Sequence, residues 1–219
     1  MIHQNYTYKN SIATAIIAAV AWFAVIMQFL ISVPEYMQKG ETLAGSIVHL
    51  ASYFTILTNI LVAVSLTSVL LFPKTFVGRF FAKISSATAI AVYITIVCLV
   101  YNLVLRPFWS AKGIFKTNDE LLHVVVPALY LLNWFFFLPK KGLVWRALPY
   151  WLIFPLCYLF YVIIRGTFTG FYPYFFVDVK TFGYATVALN AFVLLIVFAL
   201  FCALFIWLGR KMISRKPFS

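Results

Sequence analysis

The sequence consists of long apolar runs separated by short polar breaks, and this pattern limits what the chain can fold into. A helix that crosses a bilayer needs about 20 mostly apolar residues, and each run is close to that length or longer. The hydrophobic fraction is 64% and the charged fraction only 10%, whereas a water-soluble domain has about 25% charged residues. The pattern therefore excludes a soluble globular domain, a disordered chain and a coiled coil.

The runs predict an all-α fold, a polytopic membrane protein built as a bundle of six transmembrane helices in a single domain, residues 1–219. The first run is too long for the hydrophobic core of a signal peptide, so we expect it to remain as the first helix. The predicted helices cover residues 11–33, 43–72, 82–105, 120–138, 147–164 and 183–208.

Charge is distributed unevenly between the two sides of this predicted bundle. An even number of helices places both termini on one side, and that side carries many cations and no acid. All five acids of the sequence fall on the other side. By the positive-inside rule, both termini are predicted to be cytoplasmic. The cations on the terminal side are Lys9, Lys74, Arg79, Lys83, Lys140, Lys141, Arg146, Arg210, Lys211, Arg215 and Lys216.

The net charge of +12 would suggest a nucleic-acid partner in a soluble protein. Here the cations lie in the breaks between apolar runs, so topology accounts for them and we expect no nucleic-acid partner. Short loops and the lack of a retention signal favour a bacterial inner (plasma) membrane. The sequence leaves the oligomeric state open.

Ionisable side chains are costly inside lipid, so each one within an apolar run is a candidate functional residue. His123, in the fourth run, is the clearest case, and His49 lies near the start of the second run. The structural alternative for such a histidine is a hydrogen bond between helices or a position at the membrane interface. A nucleophile at the same depth would favour catalysis.

The second run carries a stripe of polar side chains that contains a candidate nucleophile. Thr55 and Asn59 are four residues apart and so share one helix face, with Ser52 and Thr58 beside them. Threonine in a membrane helix usually bonds the carbonyl one turn earlier, which is the structural alternative.

Two prolines allow the depths of Thr55 and His123 to be compared, because each proline marks the predicted cytoplasmic end of a helix. Thr55 lies 18 residues before Pro73, and His123 lies 16 residues before Pro139. At about 1.5 Å per residue, their heights above the inner face are roughly 27 and 24 Å. Both belong in the outer part of a hydrocarbon core about 30 Å thick, where a hydroxyl and an imidazole on different helices can pair as nucleophile and base.

Charged residues near this level have both functional and structural interpretations. Asp119 and Glu120 precede His123 by about one turn, so either carboxylate could orient the imidazole; alternatively, they are acids favoured at a helix N-terminus. Arg106 and Arg165 lie at the outer boundary. They are interfacial anchors, or they hold a carboxylate or phosphate of an amphipathic ligand.

Motifs for other chemistries are missing from the sequence. It contains no Gly-x-Ser-x-Gly elbow, His-Glu-x-x-His motif, Walker loop or dinucleotide fingerprint, so no cofactor and no metal site are predicted. Oxyanion donors carry no recognisable motif, and Asn59 and Asn102 are the candidates. The cysteines lie within apolar runs, where we expect neither a disulfide nor a metal site. They are Cys98, Cys157 and Cys202.

Three segments together resemble the androgen-induced protein family of six-span membrane hydrolases. Tyr-Phe-Thr-Ile-Leu at 53–57 is similar to the family's threonine motif. Leu-His at 122–123, with Pro127 following, is similar to its histidine motif. Phe-Thr-Gly-Phe-Tyr-Pro at 168–173, which includes Thr169 and Tyr172, resembles a Thr-Gly and Tyr-Pro signature in the loop after the fifth helix.

This resemblance implies that Thr55 is a nucleophile and His123 its base. The animal members cleave fatty acid esters of hydroxy fatty acids, and this chain looks more like the compact bacterial relatives. The resemblance thus implies an intramembrane hydrolase whose substrate is a membrane lipid ester. Thr169 and Tyr172 become candidates for contact with that substrate.

Two other function classes remain open. A small transporter or proton-coupled carrier of an amphipathic or anionic solute is supported by polar side chains on four different spans, namely Asn102, His123, Asn133 and Asn190, because such residues mark solute pathways. A structural or partner-binding membrane protein without chemistry is the third possibility.

Overall fold

The computed structural model describes residues 11–108 and 111–214, and within these ranges the chain is helical with no strand. Lys9, Arg215 and Lys216, which contribute to the predicted charge asymmetry, lie outside the described residues. Six helical segments of the described chain are long and apolar enough to cross a membrane, which confirms the prediction of an all-α protein with six apolar helices. They are Ser11–Gln38, Phe54–Leu71, Ile84–Phe108, Gly113–Phe137, Trp145–Thr169 and Val179–Ile213.

The chain divides into two compact units, Met1–Gly142 and Leu143–Ser219. Two short π-helical turns in the first unit, Tyr101–Leu105 and Leu121–Val125, continue helical segments rather than end them. The first unit contains α1 (Ser11–Gln38), α2 (Leu43–Ala51), α3 (Phe54–Leu71), α4 (Phe76–Phe81), α5 (Ile84–Val100), α6 (Gly113–Glu120) and α7 (Val126–Phe137), and the second contains α8 (Leu148–Thr169) and α9 (Val179–Ser214).

The second predicted helix, residues 43–72, is in fact two helices. Ser52 closes α2, and its hydroxyl donates to the Val48 carbonyl at 2.6 Å, a local bond that competes with the helical ladder. Tyr53 is extended, with ψ 129°, and α3 begins at the next residue. The break places Thr55 in the first turn of α3 rather than in the middle of a long helix.

The fourth predicted helix begins earlier than expected, because α6 starts at Gly113 instead of residue 120. Asn118 explains this start: its side-chain amide donates to the Ala24 carbonyl at 3.2 Å and to Gln28 Oε1 at 2.7 Å, both on α1. This contact holds a polar segment against α1 despite its low hydropathy. Asp119 therefore lies near the C-terminal end of α6, and its interpretation as an acid at a helix N-terminus is wrong.

Buried polar bonds fix the helices of the first unit against one another. On α1, Trp22 donates its indole N–H to Thr67 Oγ1 of α3 at 3.0 Å. On α7, Trp134 donates to Thr88 Oγ1 of α5 at 2.9 Å. Side chains inside lipid find few other partners, so such bonds define which helix faces meet. They join α1 to α3 and α5 to α7.

The second unit has a small core of its own, which lies where α8, α9 and the segment between them meet. Gly166 on α8 is in contact with the ring of Tyr172, and a Cβ at this position would lie 2.1 Å from that ring. Gly170, with φ 74°, ends α8 in the left-handed conformation that favours glycine. The buried residues of this core are Val162, Val177, Val179 and Val187.

Candidate active site

Thr55 occupies the second position of α3, where helix geometry and burial both matter. Thr55 is only 8% exposed to solvent. The first turn of a helix carries amide N–H groups outside the intrahelical ladder and the positive end of the helix dipole. A hydroxyl placed here is surrounded by a field that stabilises negative charge.

His123 lies in the middle of the second π turn, and it too is only 8% exposed. In this turn the Val126 N–H reaches back five residues to the Leu121 carbonyl. The extra residue in a π turn rotates the side chains that follow, and such turns occur frequently at functional sites. The turn directs the imidazole toward α3.

The structure brings Thr55 and His123 together. Thr55 Oγ1 lies 3.3 Å from His123 Nε2. The other ring nitrogen, Nδ1, lies 2.9 Å from the Asp119 backbone carbonyl and 2.9 Å from its carboxylate oxygen Oδ1. Two acceptors facing Nδ1 require a proton on that nitrogen. In the neutral imidazole Nε2 is then the acceptor, and the Thr55 hydroxyl donates to it.

Asp119 also forms a hydrogen bond with Tyr101, which is not among the candidate residues predicted from the sequence. The Tyr101 hydroxyl donates to Asp119 Oδ2, whereas the imidazole Nδ1 contacts Oδ1. The Tyr101 ring stacks on His123, with ring centroids 3.8 Å apart and planes 16° from parallel. Tyr101 is the first residue of the other π turn, so both π turns supply residues to one cluster.

Asn59 joins the two segments that carry this pair. Its side-chain amide donates to the Thr55 carbonyl at 2.9 Å and to the Leu122 carbonyl at 3.2 Å. In the π register, the Leu122 carbonyl would accept from residue 127, which is Pro127 and has no N–H. Asn59 supplies the missing donor. The sequence makes Asn59 a candidate oxyanion donor, but these bonds commit its amide to two backbone carbonyls.

The carboxylates before His123 have different partners. Asp119 faces the imidazole, whereas Glu120 pairs with Arg106. The Arg106 guanidinium also lies over the Tyr101 ring, 5.4 Å from its centroid. Of the two acids that the sequence offered, Asp119 is therefore the one that orients the ring, and Glu120 belongs to an exposed ion pair above it.

Asn102, the other candidate oxyanion donor, bonds its own helix. Its amide donates to the Cys98 carbonyl at 2.8 Å and lies 3.6 Å from Cys98 Sγ. These contacts commit the amide to the preceding turn, at the end of α5.

The remaining predicted contact residues belong to the second unit. The Arg165 guanidinium lies over the Phe171 ring at 5.1 Å, and Thr169 Oγ1 donates to the Arg165 carbonyl at 2.9 Å. Burial raises the pKa of the Tyr172 phenol, with a smaller contribution from the Asp178 charge. These bonds organise the loop after α8.

His49 is the centre of a second cluster, which lies near the C-terminal ends of α1 and α2. Its Nδ1 lies 2.7 Å from Glu41 Oε1. Its ring stacks on Tyr36, with centroids 4.2 Å apart, and more loosely on Tyr53 at 6.3 Å.

Within the residues that the structure describes, no group of three or more histidine, cysteine, aspartate or glutamate side chains could hold a metal ion. No family model, curated protein or solved structure shows significant similarity to the chain. The candidate site therefore depends on the geometry of its own residues.

Two features of this site lay beyond sequence reasoning: Tyr101 and the π turns. A weak signal for the turns exists, since Pro107 and Pro127 each stand two residues after the last residue of a π turn. A proline inside an apolar run removes one backbone donor and so favours local rearrangement of the ladder.

Proposed function

We propose that this protein is an intramembrane hydrolase that cleaves a lipid ester through a threonine nucleophile. The observation that supports it best is the ordered series Thr55 hydroxyl, His123 imidazole and Asp119 carboxylate, with one ring nitrogen facing each neighbour. A hydroxyl is a weak nucleophile at neutral pH without a base to take its proton. This arrangement supplies the base, and the carboxylate fixes its tautomer.

In the proposed reaction, Thr55 Oγ attacks the ester carbonyl while His123 Nε2 takes the hydroxyl proton. The tetrahedral oxyanion forms at the N-terminal end of α3, whose dipole stabilises negative charge. His123 then gives the proton to the leaving alkoxide, and the lipid alcohol departs from an acyl-threonine. Water attacks the acyl group with His123 again as base, which releases a fatty acid and restores Thr55.

The proposed orientation places both termini in the cytoplasm and the site near the outer face of a bacterial inner membrane. A lipid then reaches Thr55 sideways from the outer leaflet. The resemblance noted above makes a fatty acid ester of a hydroxy fatty acid the first substrate to test. The reaction needs neither metal nor cofactor.

The test compares threonine variants of the protein purified in detergent. Thr55→Val keeps the shape of the side chain and removes the hydroxyl, so fatty acid release from a branched ester should fall by about 10³-fold or more. Thr55→Ser should keep measurable activity, because it retains a hydroxyl. Thr58→Val, at a buried site one turn along α3, is the matched control and should be as active as the wild type.

A fluorophosphonate probe provides a second readout, because it traps an activated hydroxyl covalently. Peptide mapping should place the probe on Thr55, with no adduct in Thr55→Val. Full activity in Thr55→Val, or a probe attached elsewhere, would refute the proposal.

A carrier function is the second candidate, and one observation favours it. Asn133, buried in α7 at 1% exposure, has no described hydrogen-bond partner for either polar atom of its amide. Buried amides of this kind can line a polar path across a membrane. Flux of an anionic amphiphile into proteoliposomes that is unchanged in Thr55→Val would favour the carrier over the hydrolase.

A further inference from the structure

Tyr101 contacts the imidazole and its carboxylate at once, and this double contact suggests a role that sequence reasoning did not assign. Building on the proposed hydrolase, we propose that Tyr101 is a positioning residue that holds His123 and Asp119 in the orientation that lets Nε2 accept the Thr55 proton. Its ring restrains the imidazole, and its hydroxyl restrains the carboxylate.

The ring contact limits rotation of the imidazole. The two ring centroids are 3.8 Å apart and the planes are nearly parallel, a separation close to van der Waals contact. Turning His123 about its Cβ–Cγ bond would drive one edge of the imidazole into the phenol. An exchange of the two ring nitrogens requires that rotation, so the stack keeps Nε2 toward Thr55.

The hydroxyl contact limits rotation of the carboxylate. Asp119 accepts at both oxygens, from His123 at Oδ1 and from Tyr101 at Oδ2. A carboxylate held at one oxygen can swing, whereas a carboxylate held at both has a defined plane. In surroundings of low dielectric the second donor also stabilises the negative charge that keeps the proton on Nδ1.

The same bond argues against direct contact between the Tyr101 hydroxyl and substrate. A phenol has one proton to donate, and here Asp119 receives it. Arg106 lies over the Tyr101 ring on the exposed side. Tyr101 thus acts through His123 and Asp119 rather than on the reacting atoms.

Two substitutions separate the ring from the hydroxyl. Tyr101→Phe keeps the stack and removes the bond to Asp119, and Tyr101→Leu removes both. Tyr130→Phe is the matched control, since it removes another buried tyrosine hydroxyl, which donates to the Ala87 carbonyl at 3.2 Å.

The first measurement needs no substrate. Nitrogen-15 NMR of protein labelled at histidine reports which ring nitrogen carries the proton, and His123→Gln identifies the His123 signal. The wild type and Tyr130→Phe should show a single tautomer with the proton on Nδ1. Tyr101→Phe should show partial exchange between the two tautomers, because the Asp119 carbonyl still faces Nδ1, and Tyr101→Leu should show more.

The second measurement is steady-state hydrolysis of the branched ester. A misplacement of a reacting group by about 1 Å can cost about 100-fold in rate. We expect kcat to fall about 10-fold in Tyr101→Phe and about 100-fold in Tyr101→Leu, with KM within about 2-fold of the wild type.

The outcomes distinguish this inference from the function on which it rests. If both Tyr101 variants keep the single tautomer and the wild-type kcat, or if only KM changes, positioning by Tyr101 is wrong. If the wild type hydrolyses no ester but the variants still lose the single tautomer, Tyr101 positions His123 and the proposed hydrolase is wrong. An unchanged tautomer together with no hydrolysis would overturn both.

Discussion

His49 and His123 have similar neighbours but different supports. Each imidazole stacks on a tyrosine, at 4.2 Å for Tyr36 and 3.8 Å for Tyr101. Each also presents Nδ1 to a carboxylate oxygen, at 2.7 and 2.9 Å respectively. A histidine, a tyrosine and an acid therefore occur together twice in one chain, and this combination alone does not identify an active site.

The acid differs between the two clusters, both in its place in the chain and in its exposure to solvent. At His49 the acid is Glu41, in the connection between α1 and α2, and its side chain is 34% exposed. At His123 the acid is Asp119, one turn earlier in the same helical segment, and its side chain is 14% exposed. A carboxylate with less access to water interacts more strongly with the imidazole, because the local dielectric is lower.

The contact at Nε2 is the feature on which the proposed chemical role of His123 rests. Thr55 reaches it from another helix, in the field of a helix N-terminus. The two clusters share a histidine, a tyrosine and an acid, and they differ in the burial of that acid, so we assign the proposed chemistry to the cluster whose acid is less exposed and whose imidazole contacts a hydroxyl at a helix N-terminus.

The largest difference between the clusters is expected when each imidazole is removed. His123→Gln should lower hydrolysis by about 10³-fold or more, because no base remains for Thr55. His49→Gln should leave kcat within about 2-fold of the wild type, since His49 joins α1 to α2. Fatty acid release by the two purified variants measures this. Equal losses would show that the two clusters do not differ as we infer.

Removing the acid charge should have an intermediate effect. In Asp119→Asn the backbone carbonyl of residue 119 still accepts from Nδ1, so the tautomer is partly kept. We therefore expect kcat to fall by about 100-fold, which is less than the loss expected for His123→Gln. Glu41→Gln is the matched control at the exposed cluster and should change kcat little. A kcat for Asp119→Asn equal to the wild type would remove the carboxylate from the mechanism.

The six apolar helices and the matching depth of Thr55 and His123 could be predicted because both depend on quantities that add along the chain. Hydropathy sums over about 20 residues and helical rise is constant, so neither requires knowledge of the neighbouring helices. The spacings to Pro73 and Pro139 were sufficient to place the two side chains at one level.

The early start of α6 and the two π turns could not be predicted, because contacts between elements stabilise them. Asn118 holds α6 against α1, and Asn59 satisfies a carbonyl in the π turn of His123. A single sequence does not show which helices meet. Tyr101 was missed for the same reason, since its partners lie on another helical segment.

Asn59→Ala has the smallest expected effect on catalysis. It tests whether the bond from Asn59 to the Leu122 carbonyl helps to orient His123. Asn59→Ala leaves the Leu122 carbonyl buried without this donor, so the free energy of unfolding should fall by about 1–3 kcal/mol. Because the π turn loses one of its contacts with α3, kcat should also fall about 10-fold through misplacement of His123. Denaturation in detergent and ester hydrolysis measure the two effects.

Ser65→Ala is the control, since the Ser65 hydroxyl on α3 donates to the Val62 carbonyl of its own helix. If Asn59→Ala loses stability but keeps the wild-type kcat, the link supports the fold and not the orientation of His123, and backbone support would no longer distinguish His123 from His49.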